Sequence, residues 1–153
     1  MADQSKIIRS QDFNWPCIQK KEYKPVSDRY DRVTRYVLFG EKEDEQGLNF
    51  QTRYFEIGTD GYSSLERHRH PHTVIIVRGE GSMILGNEYH HLDTFDTVYI
   101  APETVHQFHA DRGSPLGFIC IVDRYRDRPE VPSSRHELKS WIPEPDVRNK
   151  ARI

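Results

Sequence analysis

The sequence has few cysteines, little net charge and no long apolar run, and each shortage excludes a class of protein. Two cysteines in 153 residues are too few for a disulfide-stapled scaffold. The 22 basic and 24 acidic side chains leave a net charge of −2, so bulk charge gives no attraction to nucleic acid or to an anionic membrane. No stretch approaches the length of a membrane span, and the first residues lack the apolar run of a signal peptide. We therefore expect a cytoplasmic protein that binds neither nucleic acid nor membranes.

A helical period of useful length is also missing from the middle of the chain. Short β-branched and aromatic runs alternate there with Gly, Asn and Pro turns, which is typical of an all-β sandwich or barrel. The predicted strands cover residues 33–39, 48–57, 62–68, 72–78, 82–85, 97–100, 105–109 and 116–122.

The two ends of the chain differ from this middle part. Residues 1–32 show no clean period and are predicted to form an extended arm with at most one short strand. Residues 123–153 are rich in proline and charge, a composition that disfavours helix interiors and central strands. The predicted plan is an arm (1–32), a barrel (33–122) and a surface tail (123–153) with one short helix near residues 134–141.

Histidine, by contrast, is abundant, with eight in the chain. The segment from Glu66 to His72 places histidines at alternate positions beside a carboxylate. Residues two apart in a strand share a face, so Glu66 and His68 should point the same way. An apolar run follows at 73–77, and such ligands at the mouth of an apolar interior suit a transition metal. His106 lies 34 positions after His72, an interval that lets an antiparallel barrel return beside it.

These residues and their spacing resemble the cupin superfamily, in particular the small single-domain, cupin 2-type metal-binding barrels. The family's first motif has a Gly, then HxH, a Glu three or four residues later, and a Gly six residues after that. Gly79 matches the final Gly, which puts His72 at the family's Glu. His68 then takes the second His position and Glu66 the first. The resemblance covers roughly residues 50–122 and implies an all-β fold, a single cupin jelly-roll β-barrel.

The family's second motif is matched only in part. Asp96 and His106 stand where the motif has its Asp and His. Four other motif positions depart from the family's Gly, Pro, Gly and Asn; they are occupied by Phe95, Ala101, Glu103 and Ala110.

The resemblance implies one divalent transition metal ion (Fe, Mn, Ni or Zn), and two ligand sets remain open. The preferred set is Glu66, His68, His72 and His106, which would leave a divalent site with a net charge of +1. The rival set has His70 in place of Glu66 and a net charge of +2, which would attract an anionic substrate more strongly. His70 lies beside Pro71 in a predicted turn, where strand alternation fails, and this favours Glu66.

Several functions are compatible with such a centre. We expect a metal-dependent enzyme acting on a small organic substrate of the oxo-acid or enol type, and a dioxygenase-type reaction is slightly favoured because imidazole and carboxylate ligands suit a redox-active ion. The alternatives are a metal-dependent lyase or isomerase, a non-catalytic metal- or ligand-binding cupin, and a metal-independent sugar isomerase with one His as general base. No catalytic residue is assigned. The resemblance also implies a homodimer.

Other residues receive plainer interpretations. Cys120 is expected to be a buried thiol that acts as a small hydrophobe. His109, three residues after His106, is expected on the outer face of its strand. Residues 123–129 are expected to be a solvated, self-paired exit segment, with a lid over the barrel mouth or a subunit contact as alternatives. Ordinary imidazole pKa values predict that metal is lost as the pH falls through about 6.

Overall fold

The computed structural model describes residues 2–24 and 29–153 and confirms the predicted all-β fold. Nine strands form one curled sheet within the described residues. The strands are β1 (Lys21–Glu22), β2 (Asp31–Phe39), β3 (Phe50–Tyr62), β4 (His72–Gly79), β5 (Gly81–Leu85), β6 (Glu88–Leu92), β7 (Thr97–Ile100), β8 (His106–Ala110) and β9 (Leu116–Asp123). A 3₁₀ turn (Glu43–Glu45) and two short helices, α1 (Arg135–Trp141) and α2 (Pro145–Arg148), complete the fold.

The sheet curls around its core because the long strand β3 pairs with three neighbours. The strand order is β6-β5-β8-β3-β9-β4-β7, and β2 joins β3 with β1 on its outer side. The first part of β3 runs antiparallel to β9, whereas its last residue, Tyr62, pairs with His109 of β8. One strand thus links both halves of the curled sheet and brings β4 and β8 to opposite walls of one interior.

Alternation along β4 explains why its first residue faces that interior. Val74 and Ile76 are fully buried in the main core, together with Phe55, Phe108 and Phe118 from other strands. His72 lies two residues before Val74, on the same face of the strand. The apolar pattern of β4 therefore points an imidazole into the barrel.

Of two turns at family-motif positions, one keeps the motif glycine and the other replaces it. Gly79 has a φ of +68°, and a Cβ there would collide with the carbonyl oxygen of Pro115, so the position requires glycine. Phe95 has a φ of +74° with its ring exposed, and its N–H donates to the Ile76 carbonyl oxygen at 2.7 Å. The turn keeps the glycine-like backbone, at a strain of about 1–3 kcal/mol, although the residue is phenylalanine.

Both end segments pack against the barrel. Trp15 of the N-terminal arm contacts Tyr36 and Tyr54, with ring centroids 5.3 Å and 5.0 Å away. At the other end, the Ser134 hydroxyl caps α1 by accepting from the Glu137 N–H. The tail is packed rather than lying free on the surface, because α1 and α2 form an apolar cluster with the barrel: Leu65, Ile84, Val105, Leu138, Trp141, Ile142, Val147 and Ala151. Neither helix has the length or apolar character that crossing a membrane requires.

Candidate metal centre and its pocket

The structure brings three histidines together from distant parts of the chain. His68 lies between β3 and β4, His72 begins β4, and His106 begins β8. One ligand nitrogen from each lies within 4.8 Å of those of the other two, and the ring centroids are 4.9–5.2 Å apart. His68 and His106 are each 3% exposed. Such a group has the spacing needed to hold one metal ion.

The second ring nitrogen of each histidine is already bonded. Nδ1 of His68 contacts the His70 carbonyl oxygen at 2.7 Å, and Nδ1 of His106 contacts the Thr104 carbonyl oxygen at 2.8 Å. A carbonyl oxygen only accepts, so both Nδ1 atoms carry the proton and both Nε2 atoms keep a free lone pair. Nε2 of His72 is buried without any partner. These Nε2 atoms fit a divalent transition metal, since imidazole ligands are oriented in this way in metal sites.

Burial keeps the three imidazoles neutral. Desolvation is the main cause in each case, and it lowers the pKa of His68 to about 4 and that of His72 to about 2. Repulsion from the neighbouring imidazoles lowers both further. Burial also lowers the pKa of His106, although Glu66 acts in the opposite direction. Neutral imidazole is the form that binds metal.

Glu66 flanks this triad and is already paired. Its backbone bridges His106, and its Oε1 lies 4.0 Å from Nε2 of His106. Its Oε2 accepts from the Lys24 ammonium at 2.6 Å and from the Ser64 hydroxyl at 2.7 Å. Burial acts to raise the pKa of Glu66, but Lys24, His106 and Ser64 together hold it below its ordinary value. A buried carboxylate therefore sits ionised at the edge of the triad.

His70 flanks the triad on another side. Its ring stacks on that of His68 with centroids 3.7 Å apart and planes inclined by 2°. Its Nδ1 contacts Oδ1 of Asp127 at 2.8 Å, and Asp127 also accepts from the His70 backbone N–H. Since neither Glu66 nor His70 joins the mutual 4.8 Å group, the choice of a fourth ligand stays a prediction.

The triad opens into a cavity of about 450 Å³, a size that suits a small organic ligand. One wall is aromatic, with Phe118 stacked on Phe108 and Phe55 at centroid distances of 4.6 Å and 5.4 Å. Another wall is basic and includes Arg35, Arg53, Arg126 and Arg128. Part of the segment 123–129 thus lies at the cavity mouth.

Cys120 lines this cavity, although it was expected only to pack as a small hydrophobe. The thiol is buried, as predicted, but its sulfur lies 3.2 Å from Nδ1 of His72 and 3.3 Å from a terminal nitrogen of Arg53. The signal was present in the sequence: Arg53 shares the inward face of β3 with Phe55, and an arginine on an apolar face is unusual. Arg53 and Cys120 are register partners across β3 and β9.

His109 lies on the outer face of β8, as expected, but it is not exposed there. It is 4% exposed, and its Nε2 contacts Oε1 of Gln107 at 2.8 Å. The outer face of β8 is covered because the end of the chain packs there: the Gln107 amide donates to the Arg152 carbonyl oxygen, and Gln107 Oε1 accepts from the Arg152 N–H. The side-chain amide of Gln107 is fully engaged by these bonds.

Comparisons with known proteins agree with this architecture. The Cupin domain family model matches residues 53–122. A curated enzyme of Rhodospirillum rubrum, named 1-methylthio-D-xylulose 5-phosphate methylsulfurylase, is 38% identical over 122 residues, which cover 79% of this chain and 76% of the enzyme. The chain belongs to the cupin superfamily.

Solved cupins share its overall structure. A cupin 2 conserved barrel domain protein from Rhodopseudomonas palustris is 34% identical, with a TM-score of 0.85 over 97% of this chain and 100% of that one. A cupin 2 domain-containing protein from Halorhodospira halophila is 36% identical, with a TM-score of 0.75 over 99% and 98% of the two chains. The likeness therefore extends beyond the barrel to both end segments.

Proposed function

We propose that this cupin is a metal-dependent enzyme that removes the methylthio group from a 1-methylthio ketose phosphate. The observation that carries the proposal is the 38% identity to the methylsulfurylase across most of both chains. The buried histidine triad and the small cavity beside it are compatible with such a substrate. Carbon–sulfur chemistry thus takes precedence over the dioxygenase-type reaction favoured by the sequence.

The reaction balances if a thiol accepts the methylthio group. The C1–S bond breaks with its electron pair left on C1, where the neighbouring C2 ketone delocalises the charge. The acceptor thiolate attacks the substrate sulfur and forms a mixed disulfide, while C1 takes a proton. Carbon is reduced, the thiol is oxidised, and the products are a 1-deoxy ketose phosphate and a methyl disulfide.

The residues of the pocket support the individual requirements. A divalent ion bound by His68, His72 and His106 would supply Lewis-acid polarisation of the ketone oxygen. Whichever of Glu66 and His70 is not a ligand remains a polar side chain of the cavity wall that is available for general acid–base chemistry at C1. The methylthio group fits against the aromatic wall of Phe55, Phe108 and Phe118, because sulfur contacts with aromatic rings are favourable.

Turnover of the named substrate tests the proposal. The full chain, loaded in turn with Fe, Mn, Ni or Zn, is incubated with 1-methylthio-D-xylulose 5-phosphate and β-mercaptoethanol. Mass spectrometry should detect the 1-deoxy ketose phosphate and the mixed methyl disulfide, and His72→Ala should form neither. If no metal gives these products, the proposal is wrong. Oxygen uptake in the same assay would instead favour the dioxygenase-type reaction.

The cellular location and the oligomeric state are also predictions. A cytoplasmic location fits an enzyme that uses a thiol, because the cytosol keeps thiols reduced. A homodimer is implied by the family resemblance.

A further inference from the structure

Three arginines converge on the basic wall of the cavity. Arg35 of β2 pairs in register with Phe55, and Arg53 of β3 pairs with Val37, so the two arginines are diagonal neighbours on adjacent strands. Arg126 follows β9 and lines the cavity mouth. Burial lowers the pKa of Arg126, and repulsion from Arg53 and Arg35 lowers it further, which shows that the three charges act on one another.

Among the described residues this cationic cluster has no carboxylate at ion-pair distance, although Glu41 acts on Arg35 from farther away. No carboxylate of residues 2–24 or 29–153 forms an ion pair within 4.0 Å of Arg35, Arg53 or Arg126. Arg126 donates only to the Gln51 amide oxygen and to backbone carbonyl oxygens. Arg53 is 9% exposed, and the Nε atoms of Arg35 and Arg53 are buried without a hydrogen-bond partner. Arg53 is buried, Arg35 is half-buried and Arg126 is exposed at the cavity mouth. A buried charge without an anionic partner is costly, so an anion bound beside Arg53 would stabilise this wall.

The cluster and the triad border the same cavity. The Cys120 sulfur contacts both the Arg53 guanidinium, at 3.3 Å, and the His72 ring, at 3.2 Å. A ligand can therefore reach the Nε2 atoms of the triad with one end and the guanidinium groups with the other. Although the chain as a whole carries a net charge of −2, the described residues that line the cavity include Lys24 and four arginines against the single carboxylate of Glu66.

We propose that Arg35, Arg53 and Arg126 form a subsite for the phosphate group of a small sugar phosphate. Guanidinium groups bind phosphate oxygens with paired N–H donors. A phosphate dianion between several guanidinium groups offsets their mutual repulsion. The identification of the phosphate as that of the ketose substrate rests on the proposed function. The subsite sets specificity by holding the phosphate while the carbonyl end reaches the triad.

Binding of a matched pair of probes tests the subsite directly. Calorimetry on the metal-loaded full chain compares ribose 5-phosphate with ribose. The wild type should bind the phosphate ester at least about tenfold more tightly. Arg35→Gln and Arg126→Gln should each lose most of that preference, whereas Arg112→Gln should keep it. Arg112 is an exposed arginine in the turn between β8 and β9, outside the cavity.

The outcomes separate this inference from the proposed reaction. If ribose 5-phosphate is preferred and the preference depends on Arg35 and Arg126, the subsite stands even when the methylthio ketose phosphate is not turned over. If turnover occurs and both glutamine variants keep the wild-type KM, the subsite is wrong. Arg35→Lys gives a check on folding, because it keeps the charge but loses the paired donors. It should bind the ester with intermediate affinity and have the same melting temperature as the wild type.

Discussion

The Cys120 side chain packs in the apolar core and also contacts the candidate metal ligand His72. Its position in β9, between the buried residues Phe118 and Val122, places it on the inward face of the strand. The same face borders the cavity, so the thiol packs as a small hydrophobe and also contacts His72. Metal binding through Nε2 of His72 requires that Nδ1 carry the proton, and Nδ1 then donates a hydrogen bond to the sulfur. Cys120 is thereby a positioning residue for a candidate ligand.

Replacing this acceptor should change metal affinity in a graded way. Cys120→Ala leaves Nδ1 of His72 without an acceptor, so the dissociation constant for Zn should rise about tenfold or more. Cys120→Ser supplies a hydroxyl oxygen in place of sulfur and should stay closer to the wild type. Competitive titration with a chromogenic chelator measures both. Equal affinities for the alanine variant and the wild type would contradict the positioning role.

The triad itself predicts a steeper loss. His68→Ala, His72→Ala and His106→Ala should each reduce bound metal to below about a tenth of an equivalent, because a three-ligand site loses one of its donors. Elemental analysis after dialysis measures this, with His90→Ala, an exposed histidine of β6, as the control. Full metal content in two of the three variants would refute the site. Comparing Glu66→Gln with His70→Ala in the same assay identifies the fourth ligand.

At the scale of elements, the sequence predicted the strands better than the segment that carries Glu66 and His68. Alternation places His72 on the face of Val74, because β4 is regular from His72 to Ile76. The predicted strand over 62–68 is instead a segment with single bridges from Glu66 to His106 and from Arg67 to Glu130. Its conformation depends on partners far along the chain, which local periodicity does not report.

The tail illustrates the same limit. Helix α1 was predicted near its observed position, but its packing was not, because prolines and charges conceal the few apolar side chains that it buries. Arg67 lies over the Trp141 ring at 4.1 Å, and Leu138 packs in one cluster with Leu65, the residue before Glu66. The tail thus supports the segment that leads into the candidate metal site.

Removing one side chain of this contact should destabilise the whole barrel. Leu138 is 1% exposed, so Leu138→Ala should lower the free energy of unfolding by about 2–5 kcal/mol. Urea denaturation followed by circular dichroism measures the change. Lys139→Ala, at an exposed neighbouring position of α1, should change it by less than about 0.5 kcal/mol. A Leu138 variant as stable as the Lys139 variant would show that the tail only rests on the barrel.

At the scale of the whole molecule, the homodimer implied by the family resemblance is still a prediction, and exposed apolar side chains on the outer face of the sheet give it a place to be tested. Thr73 pairs in register with Tyr99 on one side and Ile121 on the other, and Tyr99 and Ile121 are 64% and 36% exposed. We expect light scattering to give twice the 18.1 kDa chain mass. Ile121→Lys should give monomers, because it buries a charge in the interface, whereas Ile7→Lys on the exposed arm should not. A monomeric wild type would refute the homodimer.

The buried histidines also make the stability of the metal-free protein depend on pH. Burial is the main cause that lowers the pKa of His68 and of His109 to about 4, from 6.5 in an exposed chain. Between pH 6.5 and 4 the unfolded chain therefore binds more protons than the folded one. The stability is fully present above pH 6.5 and declines as the pH falls towards 4. Urea midpoints of the metal-free protein should decrease across this window.

A matched pair of variants tests whether His109 contributes to this loss of stability. His109→Gln removes one of the shifted groups and should flatten the pH dependence of stability, while His136→Gln, at an exposed position of α1, should leave it unchanged.

The lowered pKa of His68 also changes the expectation for metal binding. Imidazoles that stay neutral in the folded protein to about pH 4 should not release a bound metal ion at pH 6. Zn bound at pH 7 should therefore still be present after dialysis at about pH 5. Its loss at pH 6 would mean that protons reach the triad as easily as they reach exposed histidines.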